Sequence, residues 1–127
     1  AFVNFGGSSI LALGSHPYGD CWRVGVQHPE QAGETLYEWE LMDSAISTSG
    51  VANKFVAIDG EQYGHILHPK FGYPVDDTGL ISVCASSAIE AEVLSTSFFV
   101  LDASQRQAVL GQTSGVRIAE IPIGEQV

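Results

Sequence analysis

Two β-prone runs, Lys54 to Ile58 and Gln62 to Leu67, are joined through Asp59-Gly60. An Asp-Gly pair favours the type I′ turn that two tight antiparallel strands need, so the middle of the chain is committed to a hairpin. The next ten residues are just as constrained. The stretch His65-Ile66-Leu67-His68-Pro69-Lys70-Phe71-Gly72-Tyr73-Pro74 holds two histidines, two prolines and a glycine. Each Pro fixes φ and removes a donor, while Gly72 permits a conformation that other residues resist. Such a segment is costly to keep unless its backbone shape matters. Polar groups from Ala45–Gly50 before it and Ala91–Thr96 after it could converge there on a charged ligand.

The rest of the chain reads mostly as short strands. Phe2 to Phe5, Ser9 to Leu13, Trp22 to Gln27, Leu36 to Met42, Ala45 to Thr48, Leu80 to Ala85 and Val116 to Ile121 are apolar or alternating runs, broken by Gly, Pro and Ser clusters. Tyr37, Trp39 and Leu41 share one face, and Ser49-Gly50 is expected to end the Ala45 strand as a polar turn. One persuasive helix spans Ser87 to Leu101, with Ser87 and Glu90 at capping-box spacing. Ile89, Val93, Leu94, Phe98 and Leu101 are expected to form its apolar face. A shorter helix is predicted from Ser104 to Leu110. Many strands with few helices indicate an α+β fold, with a mixed or antiparallel sheet and both helices packed on it. No internal repeat or domain boundary is visible in the 127 residues.

Charge narrows the ligand. The net charge is −10, and the five basic residues, Arg23, Lys54, Lys70, Arg106 and Arg117, are scattered. Nucleic acid is therefore not a partner to expect, nor is an anionic membrane surface, since both need clustered Lys and Arg. If the ligand is a phosphate, a cation or backbone N–H groups must carry the attraction. Cys21 and Cys84 read as free thiols rather than as a disulfide framework. No apolar run is long enough to span a membrane. The chain starts inside a strand pattern, without an initiator Met, which suggests a piece of a longer protein.

Three groups of residues can bear chemistry. Glu92 and Thr96 lie four apart on the predicted helix and so share a face; a carboxylate and a hydroxyl there suit a hard cation such as Mg²⁺. By spacing alone, an exposed Glu beside a Thr bonded back to its helix is the commoner arrangement. His65 can act as base, phosphate donor or metal ligand, or can simply be structural. Thr48, Ser49 and Gly50 can offer hydroxyl and N–H groups to phosphate oxygens, or make a plain turn.

Taken in order, Val3-Asn4-Phe5-Gly6-Gly7-Ser8-Ser9-Ile10, Trp22-Arg23-Val24-Gly25-Val26 with Pro29, the Ser47–Gly50 segment, the Asp59-Gly60 hairpin leading into His65-Ile66, and the Ala91–Thr96 helix resemble the ApbE family of flavin transferases, the FAD:protein FMN transferases. The resemblance covers nearly the whole chain. It implies a Mg²⁺-dependent reaction in which FAD is cleaved at its pyrophosphate, FMN passes to a Thr or Ser hydroxyl of a target protein, and AMP leaves. It further implies Glu92 and Thr96 as metal ligands, His65 as a catalytic residue near the pyrophosphate, and Thr48, Ser49 and Gly50 at the same FAD site.

Three positions depart from the family pattern. Glu92 stands where Asp is usual, which is expected to loosen the metal geometry; His68 stands for an Asp, and Phe71 for a Thr. Family members are about twice this length or more, comparable to a two-lobed domain. Residues 1–127 are accordingly expected to be a C-terminal portion, completed by a missing N-terminal part or by another chain. The alternatives are a degenerate module that binds FAD without transfer, and a structural fragment completing a partner. The target protein stays open, as does the compartment, with bacterial cytoplasm and cell envelope both compatible with the resemblance.

Overall fold

The computed structural model describes residues 1–50, 55–75 and 79–123. In chain order the elements are β1 (Phe2–Phe5), β2 (Ser9–Ala12), β3 (Trp22–Gln27), β4 (Thr35–Leu41), β5 (Ser44–Gly50), β6 (Phe55–Ile58), β7 (Glu61–Gly64), β8 (Leu80–Ala85), α1 (Ala88–Val100), α2 (Ala103–Gln112) and β9 (Arg117–Ile121). A five-stranded sheet runs β1-β2-β5-β8-β9 with every neighbouring pair antiparallel. Two hairpins are excursions from it: β3–β4 between β2 and β5, and β6–β7 between β5 and β8. The α+β class with helices on an antiparallel sheet is as the sequence predicts.

Strand alternation splits the sheet into two faces. Ile10, Ala12, Ile46, Leu80, Cys84 and Ala119 pack with Val24, Val26, Trp39 and Leu41 of the β3–β4 hairpin. Ile81 and Val83 pack on the other side with Leu94, Phe98 and Phe99 of α1, and with Ile66. Every residue of β8 is buried, because that strand is covered on both sides. The Asp59-Gly60 turn forms as expected, with φ of 52° and 84°, the two positive values a type I′ turn requires. Lys54, placed by the sequence at the start of β6, lies outside the described residues.

Three expectations are corrected. Ser49 and Gly50 do not turn; they continue β5 and pair with Ile81 and Leu80. β8 is long enough to hydrogen-bond them, and that pairing overrides the turn composition. Strand β7 ends at Gly64, before His65, and the chain then closes on itself through Leu67 and Pro74. Helix α1 is also rotated from its expected orientation. Its buried residues are Ala91, Leu94, Ser95, Phe98 and Phe99, whereas Ile89 is 79% exposed and Val93 57%. Small Ala91 and Ser95 let the helix approach β5 closely, which the larger Ile89 and Val93 would prevent.

The helix ends follow local chemistry. Ser87 caps α1 by accepting from the Glu90 N–H at 3.4 Å. A reciprocal capping box stands at α2: the Gln105 N–H donates to Asp102 Oδ1, and the Asp102 N–H donates to Gln105 Oε1.

Candidate functional site

Period-two alternation sends Ser47 and Ser49 of β5 toward α1 and Thr48 toward β3–β4. On the helix side, Glu92 is one turn before Thr96 and Ser95 lies between them. Ser47 Oγ donates to Glu92 Oε2 at 2.6 Å, and Ser9 Oγ from β2 donates to the same oxygen at 2.7 Å. Ser47 and Ser95 hydroxyls are 3.1 Å apart, Ser95 and Ser49 2.9 Å, and Ser49 and Thr96 3.0 Å. Ser47 and Ser95 are both buried. The Ser47 hydroxyl first, and Ser9 second, hold the Glu92 carboxyl below its ordinary range, against the opposing effect of partial burial.

Glu92 is therefore not the freely solvated side chain its spacing alone suggests. Its carboxylate is held by hydroxyls from two strands. The Thr96 hydroxyl meets Ser49 rather than its own helix backbone, and the Ser95 oxygen lies 3.1 Å from the Glu92 carbonyl.

The segment after β7 forms the facing wall. The Val75 N–H donates to the Ile66 carbonyl, the His68 N–H to the Tyr73 carbonyl and the Gly72 N–H to the His68 carbonyl. Gly72 takes a φ of 73°, so the prolines and this glycine do build a specific backbone shape. Ile66 is buried under α1 and anchors His65 beside it. Together, Ser8, Thr48, Ser49, Gly50, His65, Ile66, Leu67, Glu92 and Thr96 line a cleft of about 350 Å³.

Every site residue singled out in the sequence thus borders one cleft: Thr48, Ser49, Gly50, His65, Glu92 and Thr96. They are not equivalent. The hydroxyl of Thr48 is engaged with Ser82 on the far face at 2.8 Å, and its N–H donates to the Ser8 carbonyl. His68 and Phe71 are not among the lining residues. Their rings lie 4.5 Å apart and Phe71 stacks on Tyr73, so both departures serve the loop's own packing.

On the other side of His65 and Leu67 opens an apolar groove of about 520 Å³, with Val56, Ile58, Tyr63 and Pro74 in its walls. Among the described residues, Glu92 is the one carboxylate lining the cleft, beside the side chains of Ser8, Thr48, Ser49 and Thr96 and the His65 imidazole. A single carboxylate among oxygens fits a hard cation that keeps several of its waters and shares phosphate ligands.

Sequence reasoning missed Ser9, Ser47 and Ser95. A signal existed for Ser95: a serine on the inward stripe Ala91, Leu94, Phe98 must find a polar partner across the interface. Ser47 shares a strand face with Ser49, which the assumption of a turn concealed.

The fold and sequence have known relatives. An FAD:protein FMN transferase of Treponema pallidum is 33% identical over 127 residues, taking in 91% of this chain and 34% of the relative. One from Salmonella typhimurium is 29% identical over 108 residues, 82% of this chain and 30% of the relative. The chain spans about a third of the length of these curated relatives. Among solved structures, the ApbE protein of Thermotoga maritima superposes with a TM-score of 0.75 at 29% identity, over 93% of this chain and 38% of that one. The apo flavinyl transferase ApbE of Pseudomonas stutzeri gives 0.69 at 28% identity, over 98% and 38%. The ApbE family model matches residues 1–119, and on that match the chain belongs to the ApbE family.

Proposed function

We propose that residues 1–127 are the C-terminal portion of an FAD:protein FMN transferase and carry its Mg²⁺-binding and phosphate-facing wall. In this reading the acceptor hydroxyl oxygen of a target Thr or Ser bonds to the FMN phosphorus. The bond from that phosphorus to the bridging oxygen breaks, and AMP leaves with that oxygen. Glu92 and Thr96 would hold Mg²⁺, which when bound supplies charge stabilisation to the phosphoryl oxygens. His65, at the cleft wall, takes the proton of the acceptor hydroxyl. Ser49 and Gly50 border the phosphate position, while Thr48 orders their strand from the opposite face. The apolar groove beside His65 suits one planar ring of FAD.

The observation that carries this reading is the convergence of His65, Ser49, Gly50, Glu92 and Thr96 on one cleft in an acidic chain of this family. Among the described residues no Lys or Arg lines the cleft, so a cation on Glu92 is the natural counter-charge. A second reading, FAD held without transfer, is favoured by the turning of His68 and Phe71 toward one another.

The test is AMP release from FAD by the complete protein, with and without Mg²⁺, beside mass spectrometry of a flavin-accepting protein. Mg²⁺-dependent AMP release that disappears in Glu92→Gln is expected. FAD binding with no AMP and no flavinylated acceptor would establish the second reading instead. Unchanged release by Glu92→Gln would remove Glu92 from the mechanism.

A further inference from the structure

The hydroxyls between Glu92 and Thr96 form an unbroken string, and proton counting gives it a direction. An ionised carboxylate only accepts. The Ser47 proton is therefore committed to Glu92 Oε2. Each hydroxyl has one proton, so the 3.1 Å contact between Ser47 and Ser95 needs the proton of Ser95. The 2.9 Å contact between Ser95 and Ser49 then needs that of Ser49, and the 3.0 Å contact between Ser49 and Thr96 needs that of Thr96. Ser95 could instead give its proton to the Glu92 carbonyl at 3.1 Å. That choice leaves the Ser47 and Ser95 oxygens facing each other with no proton between them, at a buried position where no water relieves the repulsion.

We propose that Ser47, Ser95 and Ser49 are positioning residues: the string Glu92←Ser47←Ser95←Ser49←Thr96 turns the Thr96 hydroxyl proton inward, so that its oxygen offers only lone pairs to the cleft. Ser9, the second donor to Oε2, leaves Glu92 Oε1 outside these bonds. The two candidate cation ligands are thereby set by one network through the protein, with the negative charge at one end fixing the acceptor state of the other. Successive hydroxyl bonds also polarise one another, which strengthens the inward pull on the Thr96 proton. The inference rests on the metal reading above for its purpose, though not for its geometry.

Ser95 is the place to cut. It is fully buried and does not line the cleft, so Ser95→Ala breaks the string while sparing both ends. Two measurements on the complete protein separate the claims. The first needs no metal: three-bond couplings to the Thr96 methyl carbon report its χ1 rotamer. A single rotamer in the parent protein and an averaged one in Ser95→Ala are expected. The second is Mg²⁺ titration by calorimetry. Ser95→Ala should weaken binding about 10-fold, within the range typical when a group supporting a ligand is lost. Its Tm should fall modestly, because the buried Ser47 hydroxyl loses a partner and the better helix propensity of Ala offsets this only in part.

Ser9→Thr keeps the hydroxyl and should bind Mg²⁺ like the parent, whereas Ser9→Ala should not. An unaveraged Thr96 rotamer together with unchanged Mg²⁺ affinity in Ser95→Ala would overturn the string. If Glu92→Gln leaves Mg²⁺ affinity intact, the metal reading fails, and the Thr96 rotamer alone then decides the string.

Discussion

The two faces of the central sheet use the same residue types to opposite ends. Toward β3–β4, Thr48 and Ser82 share a hydrogen bond of 2.8 Å, and the Trp39 indole N–H donates to Ser82 at 2.9 Å. The Arg117 guanidinium lies over the Trp39 ring, and Ser82 and Trp39 are buried on that face. Toward α1, Ser47 and Ser49 make equally short bonds, but their string ends at an open cleft. The difference lies in what covers them. An aromatic side chain across the interface turns strand hydroxyls into internal fasteners. A carboxylate and a threonine on a helix instead carry the string to the edge of an open cleft.

The largest effect should come from the apolar half of the helix face. Phe98 is fully buried between α1 and the sheet, so Phe98→Ala is expected to cost about 3–5 kcal/mol by chemical denaturation. Ile89→Ala on the same helix should stay within about 0.5 kcal/mol. Equal losses would mean that α1 packs by its other face, and the contrast between the two sheet faces would fail.

A smaller effect is expected across the sheet. Trp39→Phe removes the indole donor but leaves Ser82 and Thr48 paired, a loss of about 1 kcal/mol. On the metal reading proposed above, Mg²⁺ affinity at the cleft should be unchanged. A change in affinity would show that the two faces are coupled through β5.

The smallest effect concerns pH. The Ser47 and Ser9 hydroxyls lower the Glu92 carboxyl in the folded state, so its contribution to stability is complete above the ordinary Glu range. It is lost as pH falls through the lowered folded value. Because the carboxyl is largely exposed, the difference should be well under about 1 kcal/mol. Denaturation midpoints for the parent and Ser47→Ala, compared between neutral and acid pH, should converge on acidification. A gap that persists below the Glu range would assign the loss to packing instead.

Much of the architecture was legible because local chemistry and tertiary demand agree. Asp59-Gly60 turns where the sequence says it must, and Phe2–Phe5, Trp22–Gln27 and Leu80–Ala85 are strands with the expected bounds. The residues that border the cleft were singled out by type and by family resemblance. Their connections were not. Ser49-Gly50 has the composition of a turn, and only pairing with β8 makes it strand. Helix rotation was misread because Ile89 and Val93 are more hydrophobic than Ala91 and Ser95. Close approach to β5 rewards small side chains, and periodicity weighs only apolar ones. The bonds from Ser9 and Ser47 to Glu92 span two strands and a helix, a relation no local spacing encodes.

Gly50 carries one more consequence. Its backbone needs no left-handed conformation, yet a Cβ there would come within 2.3 Å of a Leu80 methyl, and Leu80 is itself buried. Leu80 in turn pairs with Ile121 on β9. Among descendants of this sequence, a side chain at position 50 should therefore arrive only together with a smaller residue at position 80. Invariance of this glycine at the cleft's edge would then record the history of a packing partner on the neighbouring strand, and not the touch of a phosphate.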